Sequence, residues 1–245
     1  MRSSSMAWLL ETLGLECYLL EGGYKSYRNY ILNSFEKRLK IVLLGGFTGS
    51  GKTDLLSILK ESGQQVIDLE GLANHKGSAF GSIGLPPQPS NEMFENLLSK
   101  EVDSTDSEKV VWIEDESRNV GKVFIPENLW LQMRRAPLIR IESSFEDRLD
   151  RLVRDYATEE SARLEESIAK IEKRLGYDNC KFAIEACREG NLKRAAEICL
   201  LYYDKAYASQ LGNRFGTEWQ TLPSYSYSGE KKAGVAEELT RIAAK

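Results

Sequence analysis

Apolar and polar positions along the chain follow two rhythms. Short, nearly unbroken apolar runs, each the length of a buried strand, occupy residues 39–44, 65–68, 109–114 and 138–142. Between them, apolar residues recur three or four apart, the spacing of a helix that buries one face. Residues 53–62 place Leu55, Leu56, Ile58 and Leu59 on one side, and Gly63 closes the segment. Ser90 suits the cap of a helix through about Lys100. Pro126 suits the first turn of a helix running to Arg135, and Ser144 the cap of the next. From 144 to 209 the pattern is helical, with breaks near Thr158, Gly176 and Gly190. One strand is expected near Trp219 and a terminal helix from about Glu230. Strands alternating with helices imply an α/β fold, a parallel sheet flanked by helices and joined by right-handed crossovers.

Residues 1–38 read differently. An amphipathic helix is expected over 4–13, ended by Gly14, then a short strand over 16–20 and a turn over 21–24. Tyr24, Tyr27, Tyr30, Ile31 and Phe35 then recur at helical spacing. This is too little apolar surface for an independent domain. The expected division is a tail of one domain at 1–38 and a main domain at 39–245.

With 245 residues the chain can bury a sizeable core. A net charge of −4 argues against a surface that coats nucleic acid indiscriminately, and leaves room for a local RNA site. Cys17, Cys180, Cys187 and Cys199 show no metal-ligand spacing and read as reduced thiols of a cytoplasmic protein. No apolar run approaches membrane length, so no membrane partner is expected.

The chemistry begins at Gly46-Phe47-Thr48-Gly49-Ser50-Gly51-Lys52-Thr53, which fits G-x-x-x-x-G-K-[ST] between a strand and a helix. Glycines let successive backbone N–H groups turn toward phosphate oxygens, and the following helix adds its positive end. Lys52 reaches terminal phosphate oxygens, and the Thr53 hydroxyl suits a magnesium ion. Gly46, Thr48, Gly49, Ser50, Gly51, Lys52 and Thr53 are therefore the phosphate-binding candidates.

Two other strand ends carry carboxylates, Asp68 with Glu70 and Glu114 with Asp115. Ligands of open parallel sheets sit beyond this edge. Asp68 and Asp115 join Thr53 as candidate magnesium ligands, while Glu116 reads as a cap or ion-pair partner. His75, the single histidine, lies in a Gly-rich loop and suits acid–base work as well as plain structural hydrogen bonding. Asp68, His75 and Glu114 are the catalytic candidates. Of the arginines interleaved with acids after residue 144, Arg148 is the favoured ligand contact, though such mixtures more often form solvated, ion-paired faces.

The segment Asp68-Leu69-Glu70-Gly71-Leu72-Ala73-Asn74-His75-Lys76-Gly77-Ser78-Ala79-Phe80-Gly81, close behind this P-loop, resembles the tRNA 2-selenouridine synthases. Gln88-Pro89-Ser90, Trp112 through Arg118, Ile125 through Trp130, Lys173 through Gly176 and Tyr202 through Tyr207 agree with it. The resemblance implies conversion of wobble 2-thiouridine in tRNA to 2-selenouridine. In it, geranyl diphosphate first alkylates the sulfur and selenophosphate then replaces the geranylated sulfur. Glu70, Lys76, Gly77, Ser78, Arg118 and Arg148 become substrate-binding candidates. The P-loop would hold either a nucleotide or geranyl diphosphate, with Mg2+.

The family pairs this domain with a rhodanese-like domain bearing a catalytic cysteine. Met1-Arg2-Ser3-Ser4-Ser5 resembles the end of its cysteine loop, and Gly22-Gly23-Tyr24-Lys25 with Arg28 its closing segment. Residues 1–38 are thus expected to be a C-terminal rhodanese remnant in which Cys17 does not take the catalytic place. The expectation is phosphate binding and geranyl transfer without complete selenation, with a separate rhodanese-like half as a candidate partner. Two other classes stay open: a P-loop small-molecule kinase, and a non-catalytic RNA- or nucleotide-binding module.

Overall fold

The computed structural model describes residues 2–227 and 232–243. The chain opens with α1 (Arg2–Thr12) and α2 (Gly23–Ser34). Then follow β1 (Lys40–Gly45), α3 (Lys52–Glu61), β2 (Gln65–Ile67), α4 (Leu69–Ala73), α5 (Asn91–Ser104) and β3 (Val110–Glu114). A small hairpin, β4 (Asn119–Val120) and β5 (Val123–Phe124), precedes α6 (Glu127–Arg135) and β6 (Leu138–Glu142). The helical stretch comprises α7 (Phe145–Tyr156), α8 (Ser161–Lys170), α9 (Glu172–Leu175), α10 (Tyr177–Arg188) and the long α11 (Leu192–Phe215). A 3-10 turn at Gly216–Thr221, β7 (Ser224–Ser226) and α12 (Lys232–Ala243) finish the described chain.

The main sheet has the order β2-β3-β1-β6-β7, every pair parallel. Its central strands are apolar on both faces because both faces are covered. Ile41 and Leu43 of β1 join α2, α5 and α6 in one core, through Ile31, Phe35, Phe94, Leu98 and Met133. Val42 and Leu44 point the other way, against Leu55, Leu56 and Leu59 of α3 and Val235 and Leu239 of α12. A third core, within the helical stretch, gathers Leu164, Ile168, Cys180, Cys187, Ile198 and Cys199. Among the described residues no helix is long and apolar enough to cross a membrane.

Two local expectations change, and one falls outside the described residues. Residues 16–20 form no strand: Tyr18, Leu19 and Leu20 are exposed and have no neighbouring strand to pair with. The late strand lies at Ser224–Ser226 rather than at Trp219, which sits in the 3-10 turn. The expected helix start at Glu230, like Met1 of the cysteine-loop resemblance, lies outside the described residues. Within 1–38 the two helices behave differently. Ala7 is the buried residue of α1, whereas Trp8, Leu9 and Leu13 are exposed. α2 docks on α5: Arg28 pairs with Glu95, Tyr30 donates to Asp103 at 2.7 Å, and Ser34 donates to Ser99 at 2.8 Å. Lys37 closes the same contact by donating to the Val102 and Thr105 carbonyls at the end of α5.

Candidate functional site

β1 delivers the chain to the C-terminal edge of the sheet, and residues 46–51 turn back there into α3. The turn depends on glycine at two tight places. At Gly51, with φ 90°, a Cβ would overlap Tyr227, the aromatic residue just after β7. At Gly49, with φ 79°, it would come within 2.9 Å of the Arg148 carbonyl. Lys52 folds over the loop and donates to the Gly46 carbonyl at 3.0 Å, so its ammonium hangs above the space where phosphates sit in such loops. Ser50 Oγ is buried without a partner.

The outer wall is built from the helical stretch. Tyr207 of α11 accepts the Gly46 N–H at 2.9 Å and stacks edge-on against Phe47. Arg148 of α7 donates to the Thr48 carbonyl and, through both terminal nitrogens, to Asp204. It thereby braces the loop from behind, and this candidate substrate contact is not among the residues that line the cavity. Its neighbour one turn on, Arg151, does line the cavity, donates to the Gly49 carbonyl and lies over the Tyr227 ring.

The carboxylates divide their work. Asp68 is the N-cap of α4, accepting from Gly71 N at 2.7 Å, and does not line the cavity. Glu114 is buried. One oxygen accepts the Glu70 N–H at 2.7 Å, and burial, then the Asp68 and Glu70 charges, hold its carboxyl well above the usual range. It too lies behind the wall. Asp115 borders the cavity but is engaged by Arg214 at 2.9 Å and by the Tyr207 hydroxyl at 3.3 Å. Of the acids beyond the strand ends, Glu70 and Glu116 face the phosphate loop, and Asp54 and Asp155 from the helices line the same cavity. Glu70 and Glu116 hydrogen-bond each other, and Glu70 Oε2 lies 3.4 Å from Thr53 Oγ1. Burial and then the Glu70 charge push the Glu116 pKa up to about 8. Desolvation raises Glu70 as well, partly offset by Lys52.

Of the other expected residues, Lys76, Gly77 and Ser78 line this cavity, with the Lys76 ammonium 5.4 Å from the centre of the Tyr156 ring. Gly77 backs onto Glu116: a Cβ there would lie 2.6 Å from its Oε2. Arg118 is exposed and pairs with Glu127, away from the cavity. His75 belongs to a neighbouring cavity.

A second, apolar cavity opens beside the phosphate loop. The two share Thr48, Ser78, Leu152, Tyr156 and Tyr203. Beyond these its walls are Phe80, Leu164, Ile168, Ala196, Leu200 and their neighbours from α7, α8 and α11. Burial pushes the Tyr156 hydroxyl up to about 12, so it stays protonated there. Sequence reasoning singled out neither Glu116 nor Arg151, Tyr156 and Tyr203 as site residues. The Tyr202–Tyr207 string did carry a signal, because it agrees with the family resemblance without any local motif to give it a role.

Residues 39–220 match the family model described as the tRNA 2-selenouridine synthase AAA domain. Among curated proteins, the tRNA 2-selenouridine synthase of Pseudomonas fluorescens (strain Pf0-1) is 34% identical over 262 residues, covering 92% of this chain and 67% of the relative. That of Azotobacter vinelandii is 36% identical, covering 83% and 63%. That of Pseudomonas putida (strain GB-1) is 38% identical with the same coverage. The chain spans between about half and two thirds of the length of the curated relatives it matches.

Proposed function

The chain belongs to the tRNA 2-selenouridine synthase family, and on that premise we propose that it alkylates 2-thiouridine in tRNA. The P-loop takes geranyl diphosphate, and the geranylated sulfur is the intermediate that selenophosphate later converts to 2-selenouridine. The carrying observation is the apolar cavity that adjoins the phosphate loop. A nucleoside presents hydrogen-bonding edges that need polar partners, whereas an isoprenyl chain needs only apolar walls. A cradle for diphosphate beside a slot for hydrocarbon suits geranyl diphosphate.

In the reaction, the thiocarbonyl sulfur attacks C1 of the geranyl group, the C1–oxygen bond breaks, diphosphate leaves, and the N3 proton of the base passes to water. Negative charge grows on the departing diphosphate. Loop N–H groups and the Lys52 ammonium stand where they stabilise it, and Arg151 adds positive charge at the rim. Magnesium, when bound, supplies further charge stabilisation to phosphate oxygens. Thr53 and Glu70 would hold it. Among the described residues no group of three or more His, Cys, Asp and Glu side chains forms a metal site. Few protein donors suit Mg2+, which keeps waters and phosphate oxygens in its shell. The crowded Glu70–Glu116 pair is a place where an added cation relieves repulsion.

Selenation asks for more. Burial pushes the thiols of Cys187 and Cys199 up to about 11 and about 12 and raises Cys180, so none of the three is a ready thiolate. Residues 1–38 are proposed as a rhodanese-like remnant, a separate rhodanese-like half as the source of a reactive cysteine, and the cytoplasm as the compartment.

The test incubates the purified chain with 2-thiouridine-containing tRNA, geranyl diphosphate and selenophosphate, followed by mass spectrometry of the nucleosides. Geranylated thiouridine should accumulate, and Lys52→Ala should slow its formation severely. Full conversion to selenouridine would overturn the division of labour. ATP turnover without tRNA would replace the reading by a small-molecule kinase, and tRNA binding without any turnover by a non-catalytic module.

A further inference from the structure

Gly77 and Ser78 line two cavities, the phosphate-loop cavity and a third one formed by the loop around residues 75–89, the β4–β5 hairpin and the end of α8. We propose that this third cavity is a second anion site, which takes a phosphoryl group independently of the P-loop.

Its charge is one-sided. His75, Lys122 and Lys170 line it, with Ser82 and Asn119 as further hydrogen-bonding groups, and no aspartate or glutamate does. That is uneven in a chain with 37 acidic against 33 basic residues. Among the described residues neither lysine has an ion-pair partner, so both charges are open to a ligand. Glu116 stands behind Gly77 and Glu159 beside Gly84, and neither lines the cavity.

The histidine is held in place. It is more than nine-tenths buried, and its Nδ1 has no hydrogen-bond partner. Its ring is packed between two glycines: a Cβ at Gly81 would lie 2.6 Å from Cε1, and one at Gly121 would lie 2.7 Å from Cδ2. The hairpin that carries Gly121 is itself fixed by Gln88. That amide donates to the Ala73 and Val120 carbonyls at 3.1 and 3.0 Å and accepts from Lys122 N at 2.9 Å. Nδ1 is enclosed on the Gly81 side, where a Cβ would lie 2.7 Å from it, so it is not the atom that a ligand in the cavity would meet. An oxyanion in this cavity would be held by charge-assisted hydrogen bonds from the two lysines, beside the histidine ring. Burial and the Lys170 charge lower the His75 pKa, and a bound anion opposes both effects.

Because His75 is the single histidine, its imidazole proton and carbon resonances report this cavity without assignment ambiguity. The experiment titrates inorganic phosphate into the whole chain and follows those resonances. The expected result is a saturable shift in the wild-type protein that persists in Lys52→Ala, where the P-loop is disabled. Affinity should weaken by about tenfold or more in the Lys122→Ala/Lys170→Ala double variant. Resonances that stay still at phosphate concentrations saturating the P-loop, or that stop responding in Lys52→Ala, would overturn the proposal.

Titration with tRNA separates the sources. If the anion is an RNA backbone phosphate, tRNA moves the His75 resonances. The double variant then lowers the slope of log affinity against log salt by about one per lysine. If tRNA leaves His75 unmoved while phosphate shifts it, the site serves a small phosphate-type anion. None of these readouts depends on geranyl transfer, which is judged from nucleoside products.

Discussion

Arg148 and Asp204 meet through paired contacts of 2.8 and 2.6 Å, and the same guanidinium donates to the Thr48 carbonyl at 3.1 Å. The helix after β6 and the longest described helix are thereby tied to the phosphate loop. Removing the carboxylate leaves an almost fully buried cation with a single carbonyl. Asp204→Ala should cost roughly 2–4 kcal/mol, somewhat below a fully enclosed pair because Asp204 is 27% exposed. Urea unfolding measures it. An unchanged midpoint would mean that the pair only decorates the loop.

Lys52 makes its one hydrogen bond to Gly46, within the loop. Lys52→Ala should therefore leave the unfolding midpoint nearly unchanged while lowering the rate of diphosphate release roughly 10²- to 10³-fold, the usual loss when one donor to a developing oxyanion is removed. Initial rates with geranyl diphosphate and thiolated tRNA provide the check. A rate within a factor of two of wild type would remove Lys52 from the chemistry.

Ala196 lines the apolar cavity but not the phosphate cavity. Ala196→Phe should crowd the hydrocarbon without touching the loop. At about 0.8 kcal/mol per buried methylene, each methylene displaced weakens binding about fourfold. KM for geranyl diphosphate should rise by about an order of magnitude or more, while inhibition by inorganic diphosphate stays unchanged. Equal effects on both would place the geranyl chain elsewhere.

Glu70 and Glu116 share a hydrogen bond, and the Glu116 pKa is pushed from 4.5 to about 8. Between those values the folded protein holds a proton that the unfolded chain releases. Stability therefore falls as pH rises through this window and levels off above it. In magnesium-free buffer the decline from about pH 5 to about pH 8 should be on the order of 1–2 kcal/mol, since the half-buried pair titrates together and is partly screened by water. Glu116→Gln should flatten it. A wild-type stability that climbs across the window would show that the pair is not protonated in the fold.

What the sequence discloses follows the range of the interactions. The runs at 39–44, 65–68, 109–114 and 138–142 are legible because strands covered on both faces must be apolar throughout, and the structure covers them so. The P-loop is legible because its geometry lies within eight consecutive residues. β7 is not, because Ser224, Tyr225 and Ser226 form a strand only through their pairing with Arg140, Ile141 and Glu142. Residues 16–20 mislead for the opposite reason, carrying strand-forming side chains without a strand beside them. Arg148 and Arg151 lie three apart on one helix, so spacing puts them on one face without telling which reaches the cavity. Glu70 and Glu116 come from the ends of different strands, and only the assembled sheet edge brings them together.

The ring of Tyr227 fills the space where Gly51 has no side chain, and it arrives with the edge strand β7. The phosphate loop is written early in this sequence, yet its backing is among the last residues of the sheet to leave a ribosome. A nascent chain stopped before that strand holds every residue of the phosphate loop and no finished cradle. The wait is a matter of chain connectivity, since a contact spanning most of the domain closes late. Competence to bind a phosphate ligand should therefore emerge only when the whole sheet has been synthesised.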